Sequence, residues 1–138
     1  MYKVLVERTV DMPRKQVFDL LMQFGGLEKI LPDMIESLEV TGSGIGALRT
    51  VKLKGGGTVI ERLDVGYDER VFGYTITFND AMPFENYCAV VTLEDASGGK
   101  TRACWGSNWD AKGASEDEIK PMLNDLYGAL LDGLHKVA

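Results

Sequence analysis

One histidine and two cysteines in 138 residues leave little from which to assemble a metal centre. His135 lies in the last turn of a C-terminal helical pattern, where a solvent-exposed cap role is expected. Cys88 and Cys104 stand apart, and the carboxylates form no cluster. Neither a zinc site nor a Ser–His–Asp arrangement is therefore expected, and no cofactor is called for. The chain also lacks a basic stripe: 15 scattered Lys and Arg face 21 Asp and Glu, a net charge of −6, so nucleic acid is not expected as a partner. No apolar run approaches the roughly 20 residues that span a bilayer. The opening segment MYKVLVERTV carries Lys3, Glu7 and Arg8 and no uninterrupted apolar stretch, which argues against a signal peptide and for a cytoplasmic location.

What is present reads as one domain over residues 1–138, long enough to bury a core, with the 45% apolar and 26% charged content of an ordinary globular protein. Tyr2–Val10 alternates as a strand. Val17, Leu20, Leu21 and Phe24 then recur at helical spacing after Pro13, and Gly25-Gly26 is expected to end that helix. A second short helix covers Leu27–Leu31. From Ile35 to Asp110 the period is two, and glycine-rich turns divide it into strands at about 35–41, 47–54, 58–66, 70–78, 86–94 and 101–110. Short connections imply antiparallel neighbours. The turn at Gly98-Gly99 sets a register in which Cys88 and Cys104 lie beyond disulfide reach, so both are expected as free thiols. Ser115 with Glu118 forms a capping box ahead of a long apolar stripe through Ile119, Leu123, Leu126, Leu130 and Leu134, with Pro121 an awkward member of its first turns.

The segment from Gly42, GSGIGALRTVKLKGGGTVIERL, crowds glycines around one strand. A phosphate cradle requires a glycine loop between a strand and a helix; here a strand follows, so GSGIG is a hairpin turn.

GIGALRTVKL, GGGTVIERLD, YDERVFGYTI and PFENYCAVVTL, followed by a Trp-containing strand and a capped terminal helix, resemble the START-like, helix-grip (SRPBCC) superfamily. Within it they are most similar to the polyketide cyclase/dehydrase branch, related to the plant abscisic-acid receptors. The resemblance implies an α+β fold, a seven-stranded curved antiparallel sheet wrapped around a long C-terminal helix, with two short helices between strands 1 and 2 and a cavity between sheet and helix. It also implies that Gly55, Gly56 and Gly57 form a gate facing a second loop that holds Met82, Pro83 and Phe84.

Alternation assigns an inner face to Arg49, Val51 and Leu53, to Val59, Glu61, Leu63 and Val65, and to Phe72, Tyr74, Ile76 and Phe78. Tyr87 and Ala89 follow on the next strand, then Trp105, Ser107 and Trp109 on the last. Carry-over from the receptors marks Glu61, Tyr74, Tyr87, Ala89 and Trp105, with Met122, Leu126 and Leu130 on the helix, as pocket lining. Glu36 takes the inner position at which the receptors hold a ligand-anchoring lysine, so a neutral or amine-bearing ligand is expected over a carboxylate. Tyr127 either reaches the cavity or packs beneath the sheet. Three roles are open to Glu61, in order of preference: a solvated pocket wall, an ion pair with Arg49 placed diagonally across the hairpin, or a proton-transfer group.

The leading functional expectation is a non-enzymatic module, monomer or homodimer, that binds a small hydrophobic molecule of lipid, polyketide or aromatic type. A cyclase or dehydrase using Glu61 as its catalytic group is second. A ligand-gated interaction protein ranks last, because a triple-glycine gate has no side chains with which to touch a partner.

Overall fold

The computed structural model describes residues 1–138. Its strands are β1 (Val4–Val10), β2 (Ile35–Thr41), β3 (Leu48–Leu53), β4 (Thr58–Tyr67), β5 (Val71–Asn79), β6 (Phe84–Ala96) and β7 (Lys100–Ala111). Helices α1 (Arg14–Met22) and α2 (Leu27–Ile30) lie between β1 and β2, and α3 (Glu116–Asp132) follows β7. All pairings are antiparallel, in the order β1-β7-β6-β5-β4-β3-β2. Every hairpin pairs sequential neighbours except at β1, which closes onto β7. This is the helix-grip arrangement.

Helix α3 starts at the capping box: Ser115 Oγ accepts from the Glu118 amide and the Glu118 carboxylate accepts from the Ser115 amide. It runs on through Pro121 and buries Ile119, Leu123, Tyr127, Leu130 and Leu131. Against α1 the chain turns back at Phe24, φ 62°, ahead of the glycine pair that was expected to end that helix. The turn GSGIG joins β2 to β3 with Gly42, Gly44 and Gly46 all at positive φ, a geometry glycine adopts without strain.

Four irregularities break the two-residue alternation and bend the sheet. One extra residue sits at Glu36, between the pairs Ile35–Leu53 and Ser37–Lys52. Others sit at Asp64 and Thr77, and a fourth at Asn86–Tyr87, where Asn86 takes φ 54°. Each moves the side chains beyond it to the opposite face. Ile35 and Leu38, three residues apart, consequently both turn toward the interior, and Glu36 is exposed. Val65 and Phe78, expected inside, stand outside for the same reason.

The interior falls into two parts. The main core joins α1, α3 and β1 to the middle of the sheet, while Ile35, Val51 and Val59 form a small separate cluster. Leu27, Leu31, Ile76 and Met82 touch both. Cys88 is exposed rather than semi-buried, Cys104 is half-buried, and both are free thiols; Cys88 pairs with Asn108 and Cys104 with Thr92.

Candidate functional site

The gap between the two hydrophobic clusters is a cavity of about 70 Å³, walled by 17 residues of which 15 are hydrophobic. Its two charged members come from facing strands. The β3–β4 register sets Arg49 directly opposite Glu61, not diagonal to it. Arg49 Nε donates to Glu61 Oε1 at 2.9 Å, with both side chains at most one-tenth exposed. The guanidinium lies 4.0 Å from the Phe24 ring centre and 5.3 Å from that of Tyr74, and its Nη1 donates to the Phe24 carbonyl at 3.4 Å. A bulky residue at positive φ is strained by roughly 1–3 kcal/mol; full burial of the ring and the bond to Arg49 hold Phe24 there. Glu61 thus joins two of the roles open to it: it is in the cavity wall, and it is ion-paired. Its Oε2 makes no hydrogen bond within the protein.

Of the expected lining residues, the wall contains Arg49, Val51, Val59, Glu61, Tyr74 and Ile76, together with Tyr87, Leu126 and Leu130. Met82, from the β5–β6 loop, and Phe84, the first residue of β6, also reach it. Leu63, Ala89, Trp105 and Ser107 do face inward but lie buried behind the wall, Trp105 stacked on Tyr127 with ring centres 5.3 Å apart. Met122 packs against the core beside the wall. Glu36 is excluded by the bulge described above, so the electrostatic case it made against a carboxylate ligand falls.

Sequence reasoning missed Leu27, Leu31, Met34 and Ile35, which cover the cavity from α2 and the segment after it, and also Leu123; Leu53, assigned to the inner face, reaches the wall as well. A signal for the first three was present: 27, 31 and 34 stand at i, i+4 and i+7, one helical face.

Gly55, Gly56, Gly57 and Pro83 do not line the cavity. The two loops expected to face each other do touch. Thr58 N–H donates to Asp80 Oδ1 at 2.6 Å, Asp80 N–H returns a bond to the Thr58 carbonyl at 3.2 Å, and a Cβ added to Gly57 would meet Ala81 Cβ at 2.6 Å. Asn79 stiffens the second loop, bonding Ala81, Met82 and Phe84 through its side-chain amide.

A chain of hydroxyls runs from the wall into the core. Tyr74 Oη is 2.9 Å from Tyr87 Oη, which is 2.5 Å from Tyr127 Oη, and Tyr127 donates to Ser107 Oγ at 2.8 Å. Tyr127, left between two positions by its sequence, lies beneath the sheet and out of the cavity. Burial first, then the Tyr127 phenol and the Glu61 carboxylate, push the Tyr74 hydroxyl well above its ordinary value of 10.0, against the opposing pull of Arg49 and of the hydrogen bond with Tyr87. Burial and the two flanking phenols do the same to Tyr87. Burial also raises Tyr127. A phenol whose folded pKa is raised favours the folded state fully below its unfolded value and loses that contribution as pH climbs past it. Three of the five tyrosines are expected to stay protonated from pH 10 until alkaline unfolding. Tyrosinate absorbance followed against pH checks this: more than two rings' worth before the far-ultraviolet dichroism collapses contradicts it.

This arrangement, a curved sheet closed on a terminal helix around an apolar cavity, is that of the helix-grip fold. The chain matches the family described as polyketide cyclase / dehydrase and lipid transport over residues 1–138, and it belongs to that family. Among solved structures it is similar to the XoxI protein of Bacillus cereus, at 25% identity and TM-score 0.76 over 96% of this chain and 90% of that one. It is equally similar to an uncharacterized protein of Bacillus thuringiensis, with 25% identity, TM-score 0.76 and coverage of 96% and 93%. A protein of Nitrosospira multiformis shares the fold at 21% identity and TM-score 0.71 over 95% and 92%. No curated protein matches the sequence. No helix is long and apolar enough to cross a membrane.

Proposed function

We propose that this protein binds a small hydrophobic molecule of lipid, polyketide or aromatic type between the sheet and α3, and that the site opens to admit it. The observation behind this reading is the wall itself, 15 hydrophobic residues of 17 around one ion pair. Such a lining, apolar with a few placed polar groups, is what ligand sites have in common. A cavity of about 70 Å³ is smaller than the ~150 Å³ that admits benzene in an engineered core. Entry therefore requires movement. Met34 and Met82, partly buried at the wall, are unbranched and re-pack at low cost. The Asp80–Thr58 loop contact is what parts.

The ion pair favours binding over acid–base catalysis. Glu61 acting as a base would take up a proton and leave the buried Arg49 charge without a partner, a loss of roughly 3–5 kcal/mol. Family membership supports a hydrophobic ligand and leaves the reaction, if any, to the site.

Thermal unfolding with fatty alcohols, aromatic polyketides and flavonoid-type aromatics tests the reading. A ligand at about 100 times its dissociation constant adds ~2.7 kcal/mol and raises the midpoint by roughly 8 °C. No shift across such a panel, with no adduct by native mass spectrometry, refutes it.

A further inference from the structure

The direction of the buried hydroxyl chain has a chemical consequence at the cavity wall. Each phenol has one proton. The geometry makes Tyr127 the donor to Ser107 Oγ, so the proton in the Tyr87–Tyr127 bond belongs to Tyr87. The proton in the Tyr74–Tyr87 bond then belongs to Tyr74. Tyr74 and Tyr87 are the two members of the chain that line the cavity. Both have turned their protons inward, and what they leave toward the cavity is lone pairs. Glu61 adds a second acceptor on the same wall, because Oε1 takes the Arg49 Nε proton and Oε2 has no partner. Arg49 has committed Nε and Nη1, to Glu61 and to the Phe24 carbonyl, and its guanidinium is clamped against the rings of Phe24 and Tyr74. Only Nη2 makes no hydrogen bond, and a carboxylate reaching it would stand beside Glu61.

We infer that the ligand is an apolar molecule carrying a hydrogen-bond donor, a hydroxyl or an amine, which it presents to the Tyr74–Glu61 wall, and that Ser107 fixes this preference from outside the cavity. The inference rests on the proposed binding function and specifies its ligand class. Ser107 is a positioning residue: it anchors the far end of the chain and touches no ligand. Remove its hydroxyl and the chain can reverse, Tyr127 donating to Tyr87, Tyr87 to Tyr74, and Tyr74 into the cavity. The wall then offers a donor.

Three probes of one shape separate the possibilities by titration calorimetry: 2-naphthol, 2-methoxynaphthalene and 2-naphthoate. The expected order for the native protein is naphthol at least tenfold tighter than the methyl ether, with the carboxylate weakest. In Ser107→Ala the naphthol-to-ether ratio falls to within about threefold. Tyr127→Phe, which removes the acceptor for Tyr87, gives the same relaxation through a different residue, and a merely structural loss would weaken both probes alike and keep the ratio. Equal binding of naphthol and ether by the native protein, tighter binding of the carboxylate, or an unchanged ratio in both variants overturns the inference while leaving the binding function standing. Binding of none of the three, with no ligand found in the thermal panel either, overturns both.

Discussion

Replacing Arg49 by methionine is expected to lower the unfolding free energy by about 3–5 kcal/mol, measured by urea denaturation at neutral pH. Methionine keeps most of the side-chain volume, so packing loss is a small part of this. The large part is Glu61, 8% exposed, left as a buried carboxylate with no cation within reach. A second part is Phe24, whose strained turn loses the bond from Nη1 and the cation above its ring. The double variant Arg49→Met with Glu61→Leu separates charge from architecture. With both ions gone, an apolar pair of similar volume is expected within about 1 kcal/mol of the native protein or above it. A single-variant loss under about 1 kcal/mol would mean that water reaches the pair freely, and the burial of the ion pair would not carry the energy assigned to it.

Much of the fold was legible because each element carries its own period. The i, i+3, i+4 spacing of α1, the Ser115–Glu118 cap of α3 and the glycine turns between strands each depend on a few adjacent residues. What escaped was the residue that does not count. A strand read strictly in twos cannot reveal a bulge, since Glu36, Asp64 and Thr77 differ in no obvious way from paired neighbours. Glu36 was placed on the cavity face by counting back from Leu38, and the single extra residue reversed it. Glu61 was placed correctly, because the bulges lie on either side of it and its own partner Arg49 sits across an undisturbed stretch of β3 and β4. The Tyr74–Tyr87–Tyr127–Ser107 chain was out of reach for another reason. Its members come from β5, β6, α3 and β7, and only the completed fold brings their hydroxyls together. The size of the cavity likewise depends on how closely the Leu27–Ile35 segment settles against the sheet, a tertiary distance that no local pattern encodes.

Trp105→Ala is expected to cost about 3–5 kcal/mol, the range for truncating a large buried aromatic. Trp105 is 2% exposed, stacked within 10° of parallel on Tyr127 and set edge-on to Tyr74 at 6.1 Å. Val6 and Val91 flank it on the neighbouring strands. Its indole nitrogen is buried without a hydrogen-bond partner, a burden of roughly 1–3 kcal/mol already carried by the native protein. Trp105→Phe sheds that burden and keeps a ring against Tyr127, so it should lose clearly less than the alanine variant. The vacated space borders Tyr74, which lines the apolar cavity. Free indole should therefore raise the melting temperature of Trp105→Ala by more than it raises that of the native protein, the added stability approaching ~2.7 kcal/mol at a hundredfold excess over its dissociation constant from the variant. If the variant folds and indole does nothing, Tyr127 has collapsed into the gap. Its hydroxyl would then have left Ser107, and the variant should show the same relaxed preference between naphthol and its methyl ether as Ser107→Ala.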